Sequence, residues 1–241
     1  MKIGVIGNGR MGESLQQEIA HSRNVLILTE ESIQTSPVKF ATSIDVLIDF
    51  SHPDNLQKIL TYAKQKHVPL VLGTTGYTNA QLEEIKASAM KIGILYSANF
   101  SLGVSVMQLL VQQATALLKE WDIELIEKHH QFKKDAPSGT AKQLVTTIQQ
   151  TREITPVYGR EGEHERQHNE LGVHSIRAGS LPGEHEVLFA STDEVVSIKH
   201  EAFSRRIFAK GAIQAAQWLI KQPIKFYSLQ DMVVQERKSM K

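Results

Sequence analysis

The chain contains no cysteine. That excludes disulfides and thiolate metal sites, and it suits a reducing cytoplasm, the expected location. An excess of charge of one sign is also missing: 27 Lys and Arg stand against 26 Asp and Glu, a net charge of +1. Such a balance gives no electrostatic basis for a nucleic-acid or membrane-surface partner. No apolar run approaches the roughly 20 residues of a membrane span. The first residues lack the basic-then-apolar layout of a secretory signal. Internal repeats and low-complexity tracts are absent too. What is present is a chain of 241 residues, 41% hydrophobic and 22% charged. That is enough for one large domain or two modest ones, each with a core.

The first half alternates strand and helix. Residues 2–6 form an apolar run read as a buried strand, and Gly7-Asn8-Gly9-Arg10-Met11-Gly12 follows at once. Residues 13–22 have helical spacing, with Leu15 and Ile19 on one face, and 24–29 is a second strand. A glycine fingerprint between a strand and a helix, followed about 20 residues on by an acidic residue, is the pattern that binds a dinucleotide. Gly7 permits the turn, Gly9 lets a pyrophosphate approach the backbone, and Gly12 lets the helix pack. Glu30, or its neighbour Glu31, would accept from the adenosine ribose hydroxyls. Two adjacent carboxylates repel a 2′-phosphate, and no arginine follows them; only Lys39 is placed to rescue phosphate binding. NADH is therefore expected over NADPH. Strands at 45–50, 68–72 and 92–96 alternate with a helix opened by Pro53 and one begun by the capping-box pair Thr78 and Gln81. This order implies a doubly wound parallel sheet of Rossmann type, which binds ligands beyond the carboxyl ends of its strands. Four polar strand ends fall there: the glycine loop, Asp49–Ser51, Gly73-Thr74-Thr75-Gly76, and Ser97-Ala98-Asn99-Phe100.

The second half is built differently. A helix over 103–119 joins two domains, and a strand at 122–128 follows. A helix over 140–150 carries Leu144, Val145 and Ile148 on its apolar face. Residues 152–172 read as a long polar loop. His164 and His168 there have metal-compatible spacing but no third ligand, so a solvated loop is the better reading. Strands at 173–178, 186–190 and 194–200, close together, indicate a mixed or antiparallel sheet in a second α+β domain. A helix over 205–221 and a short segment over 225–234 end the chain. Seven of the ten histidines lie between residues 129 and 200, which puts proton chemistry in this half and leaves cofactor binding to the first.

The densest chemistry is in residues 124–142. The strand ends on His129 and His130, then Lys133 and Lys134 sit in a polar loop, and Asp135-Ala-Pro-Ser-Gly-Thr opens a helix. An imidazole titrates near pH 6.5 or so, which suits a general acid. A lysine ammonium is a compact charge for a carboxylate. Ser138, Gly139 and Thr140 offer backbone N–H groups at a helix start, an anion site for a second carboxylate. Lys134 reads as solvated. Glu127 is a candidate to orient a histidine, although strand alternation can turn it to the other face. Neighbours in a strand point oppositely, so only one of His129 and His130 faces a ligand unless the strand has ended. A metal site is not expected, because carboxylate and cysteine partners at ligand spacing are missing.

The segment Glu124-Leu-Ile-Glu-Lys-His-His-Gln-Phe-Lys-Lys-Asp-Ala-Pro-Ser-Gly-Thr-Ala resembles the signature of the 4-hydroxy-tetrahydrodipicolinate reductases, formerly dihydrodipicolinate reductases. Gly7–Gly12, Gly73–Gly76, Ser97–Phe100, Arg177-Ala-Gly and Gly183-Glu-His look like family motifs in the family's order. The first glycine loop is one residue shorter than in many relatives. The resemblance implies reduction of a cyclic imine-type dicarboxylate by NADH or NADPH with loss of water, in lysine and diaminopimelate synthesis. It implies His129 as proton donor, Lys133 as assisting donor or cation, and His130, Gly139 and Thr140 as substrate-binding. It implies cofactor contacts from Gly7, Asn8, Gly9, Arg10, Met11, Gly12, Glu30, Gly73, Thr74, Thr75, Ser97, Ala98, Asn99 and Phe100. It further implies a homotetramer joined through the second domain. The domains are then 1–99 with 208–241 for the dinucleotide, and 100–207 for substrate and oligomerisation. Two other readings are open: another Rossmann oxidoreductase acting on an amino acid, of aspartate dehydrogenase type, and a non-catalytic NAD-binding sensor. The first has no reason to carry the His-His-x-x-Lys segment. The second would need a partner-binding element, such as a basic helix.

Overall fold

The protein was analysed as a computed structural model describing residues 1–29 and 37–239. Two compact units result, Met1–Leu102 with Arg205–Lys241, and Gly103–Ser204.

The first unit holds strands β1 (Lys2–Ile6), β2 (Val25–Leu28), β3 (Val46–Asp49), β4 (Leu70–Leu72), β5 (Ile94–Tyr96) and β11 (Phe226–Ser228). They form one sheet in the order β11-β5-β4-β3-β1-β2, with every pair parallel. Successive side chains on a strand face opposite ways, so a sheet buried on both faces needs near-continuous apolar strands. The strands divide accordingly. Ile3, Val5, Val46, Ile48, Val71 and Leu95 pack on one side against α1 (Arg10–Ala20), α6 (Arg206–Leu219) and α7 (Leu229–Ser239). Ile6, Leu47, Leu70, Leu72 and Ile94 pack on the other against α2 (Leu56–Lys66) and α3 (Asn79–Ser88). Pro53 starts a 3-10 turn, Pro53–Asn55, that leads into α2.

The second unit has a five-stranded mixed sheet in the order β10-β9-β6-β8-β7. Its strands are β6 (Asp122–His129), β7 (Thr155–Tyr158), β8 (Glu170–Arg177), β9 (Glu184–Ala190) and β10 (Val195–Glu201). Antiparallel pairs join β10, β9 and β6, and parallel pairs join β6, β8 and β7. Ile123, Leu125, Leu171, Val173, Val187 and Phe189 form one apolar face. It is covered by Met107 and Val111 of α4 (Leu102–Leu117) and by Ala141, Leu144, Val145 and Ile148 of α5 (Gly139–Thr151). Burying each such side chain is worth roughly 1.5–3 kcal/mol.

Two expectations need correction. The loop read over 152–172 contains β7 and the start of β8. β7 is only four residues long, includes Pro156 and lies at the sheet edge; proline is tolerated at edges, and so short a strand shows no alternation to read. The short segment read over 225–234 is a strand followed by a helix, α7. Ser228 and Asp231 cap that helix reciprocally, Ser228 N–H to Asp231 Oδ2 at 2.8 Å and Asp231 N–H to Ser228 Oγ at 3.2 Å.

The capping box at α3 is formed in full, with Gln81 N–H on Thr78 Oγ1 at 3.3 Å and Thr78 N–H on Gln81 Oε1 at 2.9 Å. Thr78→Ala removes one half of it and should cost about 1 kcal/mol of unfolding free energy. Urea titration measures this, and an unchanged midpoint would leave the cap without energetic weight.

Candidate active site

In the first unit, β1 runs into the glycine loop beside the end of β3. Gly7 has φ 123°, a conformation that favours glycine, and a Cβ there would overlap the Phe50 carbonyl oxygen. A Cβ on Gly12 would overlap the Gly7 carbonyl, so α1 approaches the loop only because Gly12 has none. Gly9 is different: its Cβ position has nothing within 4 Å. It is also the N-cap of α1, and no side chain caps that helix. The first N–H groups of α1 therefore face open space with a positive dipole end behind them, which is the setting for a pyrophosphate. Asn8, Gly9 and Arg10 are exposed around it. Strand order reverses between β2 and β3 about β1, so this crevice is the topological switch point where doubly wound sheets bind nucleotides.

The other strand ends complete a cleft. Met11, Gly73, Thr75, Ala98, Asn99 and Phe100 gather with Phe50 and Phe208 around about 300 Å³. Phe208 is an addition to the sequence reading, which has Phe50 only as part of the Asp49–Ser51 strand end. The Phe50 and Phe100 rings meet edge to face at 5.6 Å. Ser97 Oγ donates to the Asn99 carbonyl at 2.6 Å, and Asn99 Oδ1 accepts from Ser101 N–H at 2.8 Å, which shapes that loop. Thr74 is turned inward. Its buried hydroxyl donates to Asp49 Oδ2 at 2.6 Å and accepts from Ser51 N–H at 2.8 Å. Burial pushes the Asp49 carboxyl up to about 6, although Ser51, Thr74 and Tyr77 all donate to it. Glu30, and Glu31 with it, lie outside the described residues.

In the second unit, Glu127 and His129 are two apart on β6 and share the face that meets α5. The Glu127 carboxylate bonds His129 Nδ1. Glu127 is 0% exposed. Its Oε1 accepts from Arg177 Nη2 at 2.6 Å and from Ser138 N–H at 3.2 Å. Burial raises its pKa, but hydrogen bonds from His129, Arg177 and Ser175 outweigh that and hold it at about 2. Arg177 Nη2 also donates to the Asp135 carbonyl at 2.6 Å. The His185 ring stands edge-on to His129, centroids 5.2 Å apart, and its Nε2 lies 2.9 Å from Ser138 Oγ. Burial, assisted by the nearby His129, lowers the His185 pKa to about 4, so it is neutral at pH 7.

β6 ends at His129, so His130 is already past the strand. Its Nδ1 is closed to solvent and, among the described residues, makes no hydrogen bond. Lys133 follows in the turn, its ammonium on Asp135 Oδ1 at 2.7 Å. Ser138 is the N-cap of α5, its hydroxyl accepting from Ala141 N–H at 3.2 Å. Its own N–H is spent on Glu127, which corrects the expected set of three open donors. Gly139 fronts open space, with nothing within 4 Å of its Cβ position, and Thr140 is half-buried beside it.

Glu127, His129 and His185 present ligand-type atoms within 4.8 Å of one another. Both Glu127 oxygens are already engaged, Oε2 by His129 and Oε1 by Arg177 and the Ser138 N–H. The arrangement is that of hydrogen bonding around an imidazole. From sequence, Glu127 is only a candidate to orient a histidine, and Arg177 and His185 stand in family-like motifs with no role given to them. For Glu127 the signal was present, because strand neighbours two apart share a face. Arg177 and His185 reach the site only through the sheet register, which pairs His129 with Arg177 and Glu127 with His185.

A Rossmann sheet with an open glycine cradle, joined to a mixed-sheet unit bearing a carboxylate-held histidine, defines an NAD(P)H-dependent oxidoreductase. Models of the dihydrodipicolinate reductase N-terminus and C-terminus match residues 1–100 and 103–233. The chain belongs to the dihydrodipicolinate reductase family. It is 42% identical over 243 residues to the 4-hydroxy-tetrahydrodipicolinate reductase of Exiguobacterium sibiricum, covering 98% of each chain. It is 37% identical to that of Clostridium novyi, covering 94% of this chain and 95% of the other. Among solved structures, a dipicolinate-bound dihydrodipicolinate reductase from Paenisporosarcina sp. TG-14 has the same fold, with a TM-score of 0.78, 24% identity, and 96% and 98% of the two chains covered.

A buried acid whose pKa is raised from 3.8 to about 6 holds its proton more tightly folded than unfolded. The stability this contributes is complete below about pH 4 and is lost as pH rises to about 6. Asp49→Asn does not titrate. Wild type should therefore lose up to about 3 kcal/mol relative to the variant across that window, and nothing further above it. Urea unfolding at a series of pH values tests this; a gap independent of pH would contradict it.

Proposed function

We propose that this chain is a 4-hydroxy-tetrahydrodipicolinate reductase. It reduces 4-hydroxy-2,3,4,5-tetrahydrodipicolinate to 2,3,4,5-tetrahydrodipicolinate with loss of water, in L-lysine synthesis through diaminopimelate. The observation that carries the reading is His129, held at the end of β6 beside Lys133 and the α5 start, in a chain matching this family along both halves. When bound, the nicotinamide supplies the hydride. His129 supplies the matching proton. Lys133 exchanges its Asp135 partner for a substrate carboxylate, and the backbone at Gly139 and Thr140 takes the second carboxylate. His130, with its buried and unbonded Nδ1, lies within the same turn as Lys133. The open Gly9 and the uncapped α1 fit the pyrophosphate. Gly7 and Gly12 shape the loop beneath it, flanked by Asn8 and Arg10. Met11, Gly73, Thr75, Ala98, Asn99 and Phe100 line the adjoining cleft, with Thr74 behind them as a buried anchor.

The finer features of the reading are these. Glu30 and Glu31 favour NADH over NADPH through the ribose hydroxyls. Residues 1–99 with 208–241 bind the dinucleotide, and 100–207 bind substrate and join subunits. The enzyme works in the cytoplasm as a homotetramer, assembled through the face of the second sheet that bears the exposed side chains Ile176 and Val195. No metal takes part. The absence of any helix long and apolar enough to cross a membrane among the described residues is compatible with this setting.

NADH oxidation should be followed with substrate generated from pyruvate and aspartate semialdehyde by the preceding synthase. Turnover is expected, with kcat/KM higher for NADH than for NADPH; no turnover would overturn the reading. His129→Gln should lower kcat by roughly 10²–10⁴, the scale of a lost general acid. Lys133→Ala should lower kcat as well as raise KM, and an effect on KM alone would reduce Lys133 to binding. Sedimentation at micromolar concentration tests the tetramer.

A further inference from the structure

We propose that Glu127 is the positioning residue of His129, fixing the imidazole as its Nδ1–H tautomer and leaving Nε2 as the only nitrogen that exchanges a proton with a ligand. The kinetic arm of the proposal rests on the reductase reading; the structural arm does not.

The geometry points to it in several ways. The carboxylate divides its work: Oε2 takes His129 Nδ1, while Oε1 is occupied by Arg177 and Ser138. With no solvent exposure, Glu127 has no water to turn towards. A carboxylate that stays ionised can only accept, so Nδ1 must donate. Nε2 then carries the lone pair in the neutral ring and the mobile proton in the charged one. No other hydrogen bond reaches the His129 ring among the described residues, and the neutral His185 ring meets it edge-on. On the Nε2 side is Gly183, with φ 128°. A Cβ there would lie 3.3 Å from Nε2, so the glycine keeps that nitrogen clear.

Arg177 extends the device. One guanidinium nitrogen holds both Glu127 and the Asp135 carbonyl. The cation that keeps Glu127 ionised thereby also pins the loop that carries Lys133. Proton donor and carboxylate-binding cation are referred to a single strut. Lys133 itself is placed by its own N–H on the His130 carbonyl at 3.1 Å.

Two measurements test the proposal. In ¹⁵N-histidine NMR, recorded at a pH high enough to leave the ring neutral and assigned with His129→Gln, wild-type His129 should show the Nδ1–H tautomer. Free imidazole side chains favour Nε2–H, and Glu127→Gln should move His129 towards that form. In steady-state kinetics Glu127→Gln should lower kcat by up to roughly 10⁴ with KM little changed, the scale of replacing the carboxylate behind a catalytic histidine by its amide. Added to His129→Gln, it should lower kcat by no more than about 3-fold, because residues acting as a unit are not additive. A residue that merely supports the fold would act equally in both backgrounds. An Nε2–H tautomer in wild type, or full additivity, overturns the proposal. The wild-type spectrum decides the tautomer even if Glu127→Gln misfolds or the enzyme turns over no reductase substrate.

Discussion

A carboxylate with no access to water must be neutralised where it lies, and Glu127 imposes that condition on the second unit. An uncompensated buried ion costs several kcal/mol, so its partners are obligatory. They come from β6 itself, from Arg177 at the end of β8, and from the first backbone N–H of the Ser138 cap. Meeting the demand brings together the strand end, the 130–138 loop and the start of α5. These are the parts that carry His129, Lys133 and Gly139. The site is assembled because the charge has to be satisfied, and its chemistry is available because that charge is satisfied by an imidazole among others.

The first unit meets the same condition with different means. Asp49, also without exposure, is bonded by hydroxyl and amide donors and, among the described residues, by no cation. Three neutral donors offset less of the desolvation than a guanidinium does. Asp49 is accordingly pushed up while Glu127 is held down. Both acids tie loops together, but Asp49 takes up a proton as pH falls towards 6, whereas Glu127 stays ionised.

Much of this was legible in the sequence because it is local. The glycine loop, the apolar strands and the Thr78 box are set by residues within a few positions of one another, and the mixed second sheet by three close β-branched runs. From sequence Glu127 is only a candidate to orient a histidine, with strand alternation counted against it; the same alternation that separates His129 from His130 in fact unites residues two apart. β7 was not legible, because an edge strand of four residues with Pro156 carries no periodic signal. Arg177 and His185 are some 50 residues from the atoms they serve, and only strand register brings them there. Phe208 reaches the cleft beside Phe50 from α6, far along the chain.

The sheet of the first unit is closed by β11, and much of one face is covered by α6 and α7, all of which follow the whole second unit in the chain. On the ribosome, Ile3, Val5, Val46, Ile48, Val71 and Leu95 are made early with α1, but the rest of their cover arrives only after residue 205. Until then a broad apolar surface and the unpaired edge of β5 stand open, the kind of surface that aggregates or recruits a chaperone. The second unit has no such debt: its strands and both of its helices lie within 103–204. It can fold as it emerges, before the nucleotide-binding unit that precedes it is finished.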